Sequence, residues 1–361
     1  MHITRMSCDG FRCLRKVDIA LSPVFNVIRG QNAQGKTSLL EAILFATTSK
    51  SHRTTNESDL VDHEGDRFQI HLDAQRSDRR IQLDANYYRG AKRYKVNGVA
   101  QSRVSDILGK INTVFFSPED ITLVKGSASL RRKFLDMELS QLHAPYLNAL
   151  QQYRQILRQR NELLRHPKPD DGLLEIWEVQ LVEHGSLLIK KRERFIEQLT
   201  PLAVAAYHRI AGDETLSLKY QADVNTSEDF EAILRDSRQT DIRRRVTTRG
   251  PHRDDIDFHI DGQPARSIAS QGQQKSAALA LKLAELEWVR ERIGEYPVLM
   301  LDEVLAELDP TRSAQLFDAI DPQVQCIITT TQPDLVERLG DRPIADFVIE
   351  GGRVTACQPQ D

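Results

Sequence analysis

Along the first third of the chain, apolar and polar residues alternate in short runs, and this period of two predicts β-strands. The runs are Ile3 to Ser7, Val17 to Leu21, Phe25 to Arg29, Gln69 to Leu72, Ile81 to Asn86, Arg93 to Val96 and Thr113 to Phe116. Asn97-Gly98 supplies a turn dipeptide after one of them. From about Leu130 the period lengthens. Leu135, Leu139, Leu142, Tyr146, Leu150, Tyr153 and Leu157 step by four and three, the spacing of one helical face. His166-Pro167-Lys168-Pro169-Asp170-Asp171-Gly172 stops that helix, because proline lacks an amide donor and disfavours helical geometry in the residue before it. A second apolar stripe follows at Trp177, Leu181, Leu188, Phe195 and Leu199, so the two helices are expected to pack as an antiparallel hairpin or small bundle. Strand patterning returns at Asp257 to Ile260, Val298 to Leu301, Cys326 to Thr330 and Phe347 to Glu350. The pattern predicts one α/β domain built from both chain ends, residues 1–125 and 246–361, around a helical insertion at 126–245.

The 361 residues are 40 % hydrophobic and 28 % charged, enough for two or three domains with real cores. No apolar run approaches the 18 or so residues of a membrane-spanning helix, and MHITRMSCDGFRCLRK does not read as a secretory leader. Cys8, Cys13, Cys326 and Cys357 form no CxxC pair, so the expectation is a reduced, cytoplasmic protein without structural zinc. With 49 basic against 52 acidic side chains, any nucleic-acid contact must come from local patches of cations.

Three segments carry chemistry. Gly30-Gln31-Asn32-Ala33-Gln34-Gly35-Lys36-Thr37 matches GxxxxGK[ST] between a strand and a helix opening with Ser38. Amides of such a loop surround a phosphate, its lysine reaches the β- and γ-phosphates, and its hydroxyl residue binds Mg²⁺. The bland alternative is a glycine-rich turn before a helix. Pro297-Val298-Leu299-Met300-Leu301 delivers Asp302 and Glu303 at the end of a buried strand, where Asp302 can hold Mg²⁺ and Glu303 can polarise water; alone, it is also how many strands end. Ser270-Gln271-Gly272-Gln273-Gln274-Lys275-Ser276 opens an alanine- and leucine-rich helix, as a second anion site or simply an N-cap.

Phosphate loop, Ser-Gly segment, acidic strand and then Ala306-Glu307-Leu308-Asp309 is an order that resembles the ATP-binding-cassette ATPase head. Phe11-Arg12, the run GQNAQGKTSLLEAI and a separation of about 230 residues between loop and Ser270 are similar to the SMC and recombination-repair branch. Lys50-Ser51-His52-Arg53-Thr54, Tyr94 to Gly98, Val114 to Asp120, Leu123 to Ser127, Arg131 to Asp136 and Gly250 to Asp255 resemble the RecF family of bacterial recombination mediators. The match spans nearly the whole chain.

This resemblance implies an α/β, ABC-type P-loop ATPase head with an inserted helical domain, and ATP and Mg²⁺ as cofactors. Lys36 and Glu303 would be catalytic, Thr37 and Asp302 the metal ligands. Arg12, Gly30, Asn32, Gly35, Lys36, Thr37, Ser38, Ser270, Gly272, Gln273 and Asp309 would contact nucleotide, with Ser270 facing the γ-phosphate on a second copy. The implied activity is a slow, DNA-stimulated ATPase. The implied partners are double-stranded and gapped DNA, RecO, RecR and an ATP-dependent homodimer that helps RecA load on single-stranded DNA.

Lys50, Arg53, Lys125, Arg131 and Arg132 are the expected phosphate-contacting cations. Lys190-Lys191-Arg192 and Arg243-Arg244-Arg245 read equally as DNA contacts or solvated faces, and His252-Arg253 beside Asp254-Asp255 as a ligand contact or an ion pair. Two positions depart from the wider cassette pattern: Thr329-Thr330-Thr331-Gln332 stands where a histidine is expected, and Ser117-Pro118-Glu119-Asp120 occupies the region of the usual glutamine switch. The alternatives are another SMC-like repair ATPase, a transporter's ATPase subunit, against which the motif spacing speaks, and a scaffold that merely binds ATP.

Overall fold

The computed structural model describes residues 1–224, 227–339 and 342–357. It divides into two compact units, residues 1–121 with 278–361, and residues 122–277.

The first unit holds two six-stranded sheets. One runs Arg353–Ala356, Ile344–Glu350, Phe25–Arg29, Cys326–Thr330, Val298–Asp302, Thr113–Phe116, and every neighbouring pair is parallel except the outer hairpin. Val298–Asp302, Cys326–Thr330 and Thr113–Phe116 are buried at every position, the near-continuous apolar run of a parallel sheet covered on both faces. The other sheet is antiparallel, in the order Val17–Ala20, His2–Asp9, Arg67–Gln75, Arg80–Tyr88, Ala91–Val96, Val99–Gln101. Its strands alternate buried and exposed positions, so one face packs and the other meets water. Asn97 and Gly98 take φ of 50° and 79°, the left-handed pair that a two-residue hairpin demands. Helix Lys36–Thr48 contacts strands of both sheets and is buried on nearly all sides, as a helix between two layers must be.

In the second unit, helices Ala128–Leu142, Ala144–Leu164, Asp171–Ala211 and Ser227–Arg244 accompany a three-stranded sheet of Gln263–Pro264, Asp255–Ile260 and Leu216–Gln221. The expected single stripe from Leu135 to Leu157 is two helices that meet at His143, because Pro145 begins a new helix in its first turn. Asp170 caps the long helix by accepting from the Leu173 N–H at 2.9 Å. This unit ends at 277, not at the expected 245. The reason is pairing across its length: Asp255–Ile260 bonds to Leu216–Gln221, and the Arg192 guanidinium reaches Asp136 at 2.8 Å, Asp254 at 2.9 Å and the Pro251 carbonyl at 2.7 Å. A segment that fills the ion-pair core of the helices cannot belong to another unit.

Candidate nucleotide site

Strand Phe25–Arg29 runs into the loop Gly30 to Gly35. A Cβ on Gly30 would lie 2.5 Å from the Ile349 carbonyl oxygen, so only glycine fits there. Gly35, at φ 111°, starts helix Lys36–Thr48, which has neither a side-chain cap nor an acidic residue in its first turn. Its leading amides and positive dipole end are therefore left for an external anion. Lys36 is only 4 % exposed; its Nζ donates to the carbonyls of Gly30 at 2.7 Å and Gln31 at 2.8 Å and pairs with the Glu303 carboxylate at 2.9 Å.

Strand Val298–Asp302 lies one strand away from the phosphate-loop strand, with Cys326–Thr330 between them. The register places Asp302 beside Thr329, and Thr329 beside Ile28. Acid and loop thus emerge together at the carboxyl ends of parallel strands, where such sheets bind ligands. Thr37 Oγ1 donates to Asp302 Oδ1 at 3.0 Å, and Thr329 Oγ1 donates to the same oxygen at 2.7 Å. Thr329 also accepts from the Glu303 N–H at 3.1 Å. Burial pushes the Asp302 carboxyl above its ordinary range, outweighing the Thr329 and Thr37 hydroxyls. Glu303 takes a left-handed φ of 54° at the strand's end, a strained backbone held where its carboxylate meets Lys36. A hydroxyl and a carboxylate are hard oxygen donors, and so few of them suit Mg²⁺, which keeps water and phosphate oxygens for the rest of its shell.

A cleft of about 940 Å³ opens over this loop, lined by Arg12, Asn32, Gly35, Lys36, Thr37, Ser38 and Glu303. Arg12, at φ 55°, is clamped by Glu41 through two bonds of 2.9 Å and donates to the Asp59 carbonyl at 2.9 Å. Burial alone would raise Glu41; the Arg12 guanidinium and the Ser51 hydroxyl hold it below the usual carboxylate range. Part of the lining was not expected from the sequence, above all the loop from Ser58 to Gly65. Val61 and His63 belong to no motif, and Arg53, expected on a DNA surface, lines this cleft. Gly30 lines a neighbouring cleft instead. Asp309 caps helix Pro310–Ala319 through the Arg312 N–H at 3.0 Å and lies outside the lining. Ser117 bonds Asp120 through its N–H at 2.8 Å and its hydroxyl at 3.0 Å, which makes that segment a self-capped turn.

In the second unit, Ser270 is exposed and caps helix Gln271–Ile293: its Oγ accepts from the Gln273 N–H at 3.2 Å, while its own N–H donates to Gln273 Oε1 at 2.8 Å. Gly272 sits in that first turn. One expected DNA contact, Arg131, is corrected here. Arg131 is 2 % exposed, forked onto Asp255 at 2.5 and 2.9 Å and bonded to the carbonyls of Leu123 and Gly126 at 2.9 Å. Arg132 donates to the Asp254 carbonyl at 2.8 Å, and burial lowers its guanidinium. Arg131, spent on buried acceptors, is not offered to DNA, whereas Arg132 is only half-buried. Lys125 and, in the first unit, Lys50 are exposed. Arg192 is buried and Lys190 exposed, and Arg243, Arg244 and Arg245 are exposed. His252 lies between the Tyr153 hydroxyl at 2.7 Å and the Thr247 carbonyl at 3.0 Å, so it is a neutral structural imidazole, pushed by burial down to about 4.

Among the described residues, no helix is long and apolar enough to cross a membrane, and no cluster of three or more His, Cys, Asp or Glu could hold a metal. The family model RecF/RecN/SMC N terminal domain matches residues 2–353. The chain is 39 % identical over 367 residues to the DNA replication and repair protein RecF of Listeria innocua, covering 98 % of this chain and 99 % of that one. To the protein of the same description from Symbiobacterium thermophilum it is 42 % identical over 352 residues, 94 % of each chain. A solved structure of the recombination mediator protein RecF-ATPrS in the RecFOR pathway shares its fold with a TM-score of 0.90 at 33 % identity, covering 99 % of this chain and 98 % of that one. The Smc head domain of Pyrococcus furiosus, at 18 % identity and a TM-score of 0.58, shares the fold alone. Phosphate loop, acidic strand and near full-length likeness agree: the chain belongs to the RecF family of ABC-type ATPases, within the RecF/RecN/SMC group.

Proposed function

We propose that the cleft binds ATP with Mg²⁺, that two copies close on the bound nucleotide, and that the closed dimer engages double-stranded and gapped DNA. The observation that carries this reading is the convergence of Lys36, Thr37, Asp302 and Glu303, joined by contacts of 2.9 to 3.0 Å at an uncapped helix start. Loop amides take the phosphate chain, and Lys36 exchanges its carbonyl partners for β- and γ-phosphate oxygens. Mg²⁺ held by Thr37 and Asp302 would neutralise charge on the β- and γ-oxygens. Glu303 aligns the attacking water and accepts its proton on Oε. Arg53 adds a cation to the same wall. Ser270 of one copy donates its hydroxyl to the γ-phosphate held by the other.

Relatives described as DNA replication and repair proteins, and a solved recombination mediator of the RecFOR pathway, support a role in recombinational repair with RecO and RecR as partners. RecA loading is the proposed outcome and the cytoplasm the proposed compartment. Lys50, Lys125 and Arg132 are the proposed contacts to DNA phosphates. The test is sedimentation of wild type, Lys36→Ala and Ser270→Arg with ATP, Mg²⁺ and gapped duplex. Wild type should pair with ATP. Lys36→Ala should stay unpaired and bind no nucleotide, whereas Ser270→Arg should bind ATP as a monomer. Pairing of either variant as in wild type would refute the reading.

A further inference from the structure

Ser270 caps its helix in a reciprocal arrangement, and that arrangement has an external anchor. The Gln273 amide gives its oxygen to the Ser270 N–H at 2.8 Å, and its nitrogen donates to Glu214 Oε1 at 3.0 Å. Glu214 Oε2 in turn accepts from the Tyr207 hydroxyl at 2.6 Å, and Tyr207 is fully buried in helix Asp171–Ala211. An amide side chain can sit in two flips of the same shape, and only one faces Ser270 with an acceptor. A carboxylate can only accept. Glu214 therefore demands the NH₂ end of Gln273 and turns the oxygen end to Ser270. The capping box then forms, the Ser270 Oγ lone pair is taken by the Gln273 N–H, and the hydroxyl proton is left for an outside acceptor.

We infer that Glu214 is a positioning residue for Ser270: through Gln273 it orients the hydroxyl that meets the γ-phosphate of a second copy. This inference rests on the proposed in-trans role of Ser270. It makes Ser270 geometry depend on a buried tyrosine of the long helix.

The polarity of the relay can be inverted without changing its shape. In the double variant Glu214→Gln with Gln273→Glu, residue 273 still accepts from the Ser270 N–H, residue 214 donates to it, and the Tyr207 hydroxyl still finds an oxygen. Gln273→Glu alone sets two carboxylates face to face, and Glu214→Gln alone lets residue 214 present either its oxygen or its NH₂, so the flip of Gln273 is no longer dictated. The dissociation constant of the ATP-bound dimer, read by sedimentation, should rise roughly tenfold in each single variant, the worth of about one hydrogen bond. It should return to within about threefold of wild type in the double variant, as a coupled pair requires. ATP binding by the Glu214→Gln monomer should be unchanged, which separates a folding defect from a pairing defect in that variant. If wild type pairs and Ser270→Arg abolishes pairing, yet all three relay variants pair as wild type does, the positioning role falls and the Ser270 role stands. Loss in the singles without recovery in the double also overturns it. If wild type itself fails to pair with ATP, the in-trans role fails first.

Discussion

Replacing Arg131 with alanine separates a structural cation from a DNA contact. In the second unit this guanidinium uses four N–H bonds: two to Asp255 and one each to the carbonyls of Leu123 and Gly126. Arg131→Ala leaves a carboxylate that is three-quarters buried, bonded by the Ile256 N–H at 2.8 Å, and two carbonyls short of a donor. Breaking a buried pair from one side costs about 3 to 5 kcal/mol, and the partial exposure of Asp255 points to the lower end, about 3 kcal/mol. With a urea dependence of about 2 to 3 kcal/mol per molar, the midpoint of the second unit should fall by roughly 1 to 1.5 M. Pulse hydrogen exchange along a urea series, followed on peptides from Ala128–Leu142 and Asp255–Ile260, reads that unit apart from the first. A DNA-contacting arginine behaves otherwise: its loss lowers the salt dependence of binding by about one counterion and leaves the midpoint alone. An unmoved midpoint with a reduced salt slope would refute the structural assignment.

Glu303→Gln should keep ATP-driven pairing and lose about 10²- to 10⁴-fold in turnover, measured by phosphate release, since binding contacts survive while the water loses its base; near-normal hydrolysis rejects that role. Thr329→Val keeps the shape but removes the hydroxyl shared by Asp302 and the Glu303 amide, costing about 1 to 2 kcal/mol in urea unfolding of the first unit. No change would mean that Thr329 supports neither. His252 supplies a pH signature. Its folded value of about 4 lies below the unfolded value of about 6.5, so the unfolded chain takes up the proton first as pH falls. The contribution is whole above pH 6.5, and roughly 3 kcal/mol is lost by pH 4. His252→Gln should flatten that window, and an unaltered pH profile in the variant contradicts the assignment.

What could be read without coordinates follows from how local each constraint is. The phosphate loop was legible because glycine, lysine and threonine are required at fixed spacing by an anion and a metal, and Asp302-Glu303 because a buried strand ending in two acids is rare beside such a loop. Asn97-Gly98 was legible for the same reason, as a backbone demand met by two residues. Arg131 was not: its partner is 124 residues away, and an arginine bound for a buried acid looks like one bound for solvent. The break at His143 was hidden because the apolar steps pass through it unchanged. Arg53 lines the cleft by the course of a loop, a fact of tertiary placement that no spacing encodes.

The phosphate-loop strand Phe25–Arg29 is flanked by Cys326–Thr330 on one side and Ile344–Glu350 on the other. During synthesis, then, its two neighbours emerge about 300 residues after it, roughly 15 to 60 s later at 5 to 20 residues per second. Until that moment the nascent strand offers unpaired edges, a liability for aggregation. A truncated translation product ending before Cys326 would carry every residue of the GxxxxGKT motif and still lack both strands that hold it in place. Nucleotide binding in this chain is thus a property that arrives only once Cys326–Thr330 and Ile344–Glu350 have been made, and ribosome-bound fragments halted on either side of that point should differ in it as sharply as off and on.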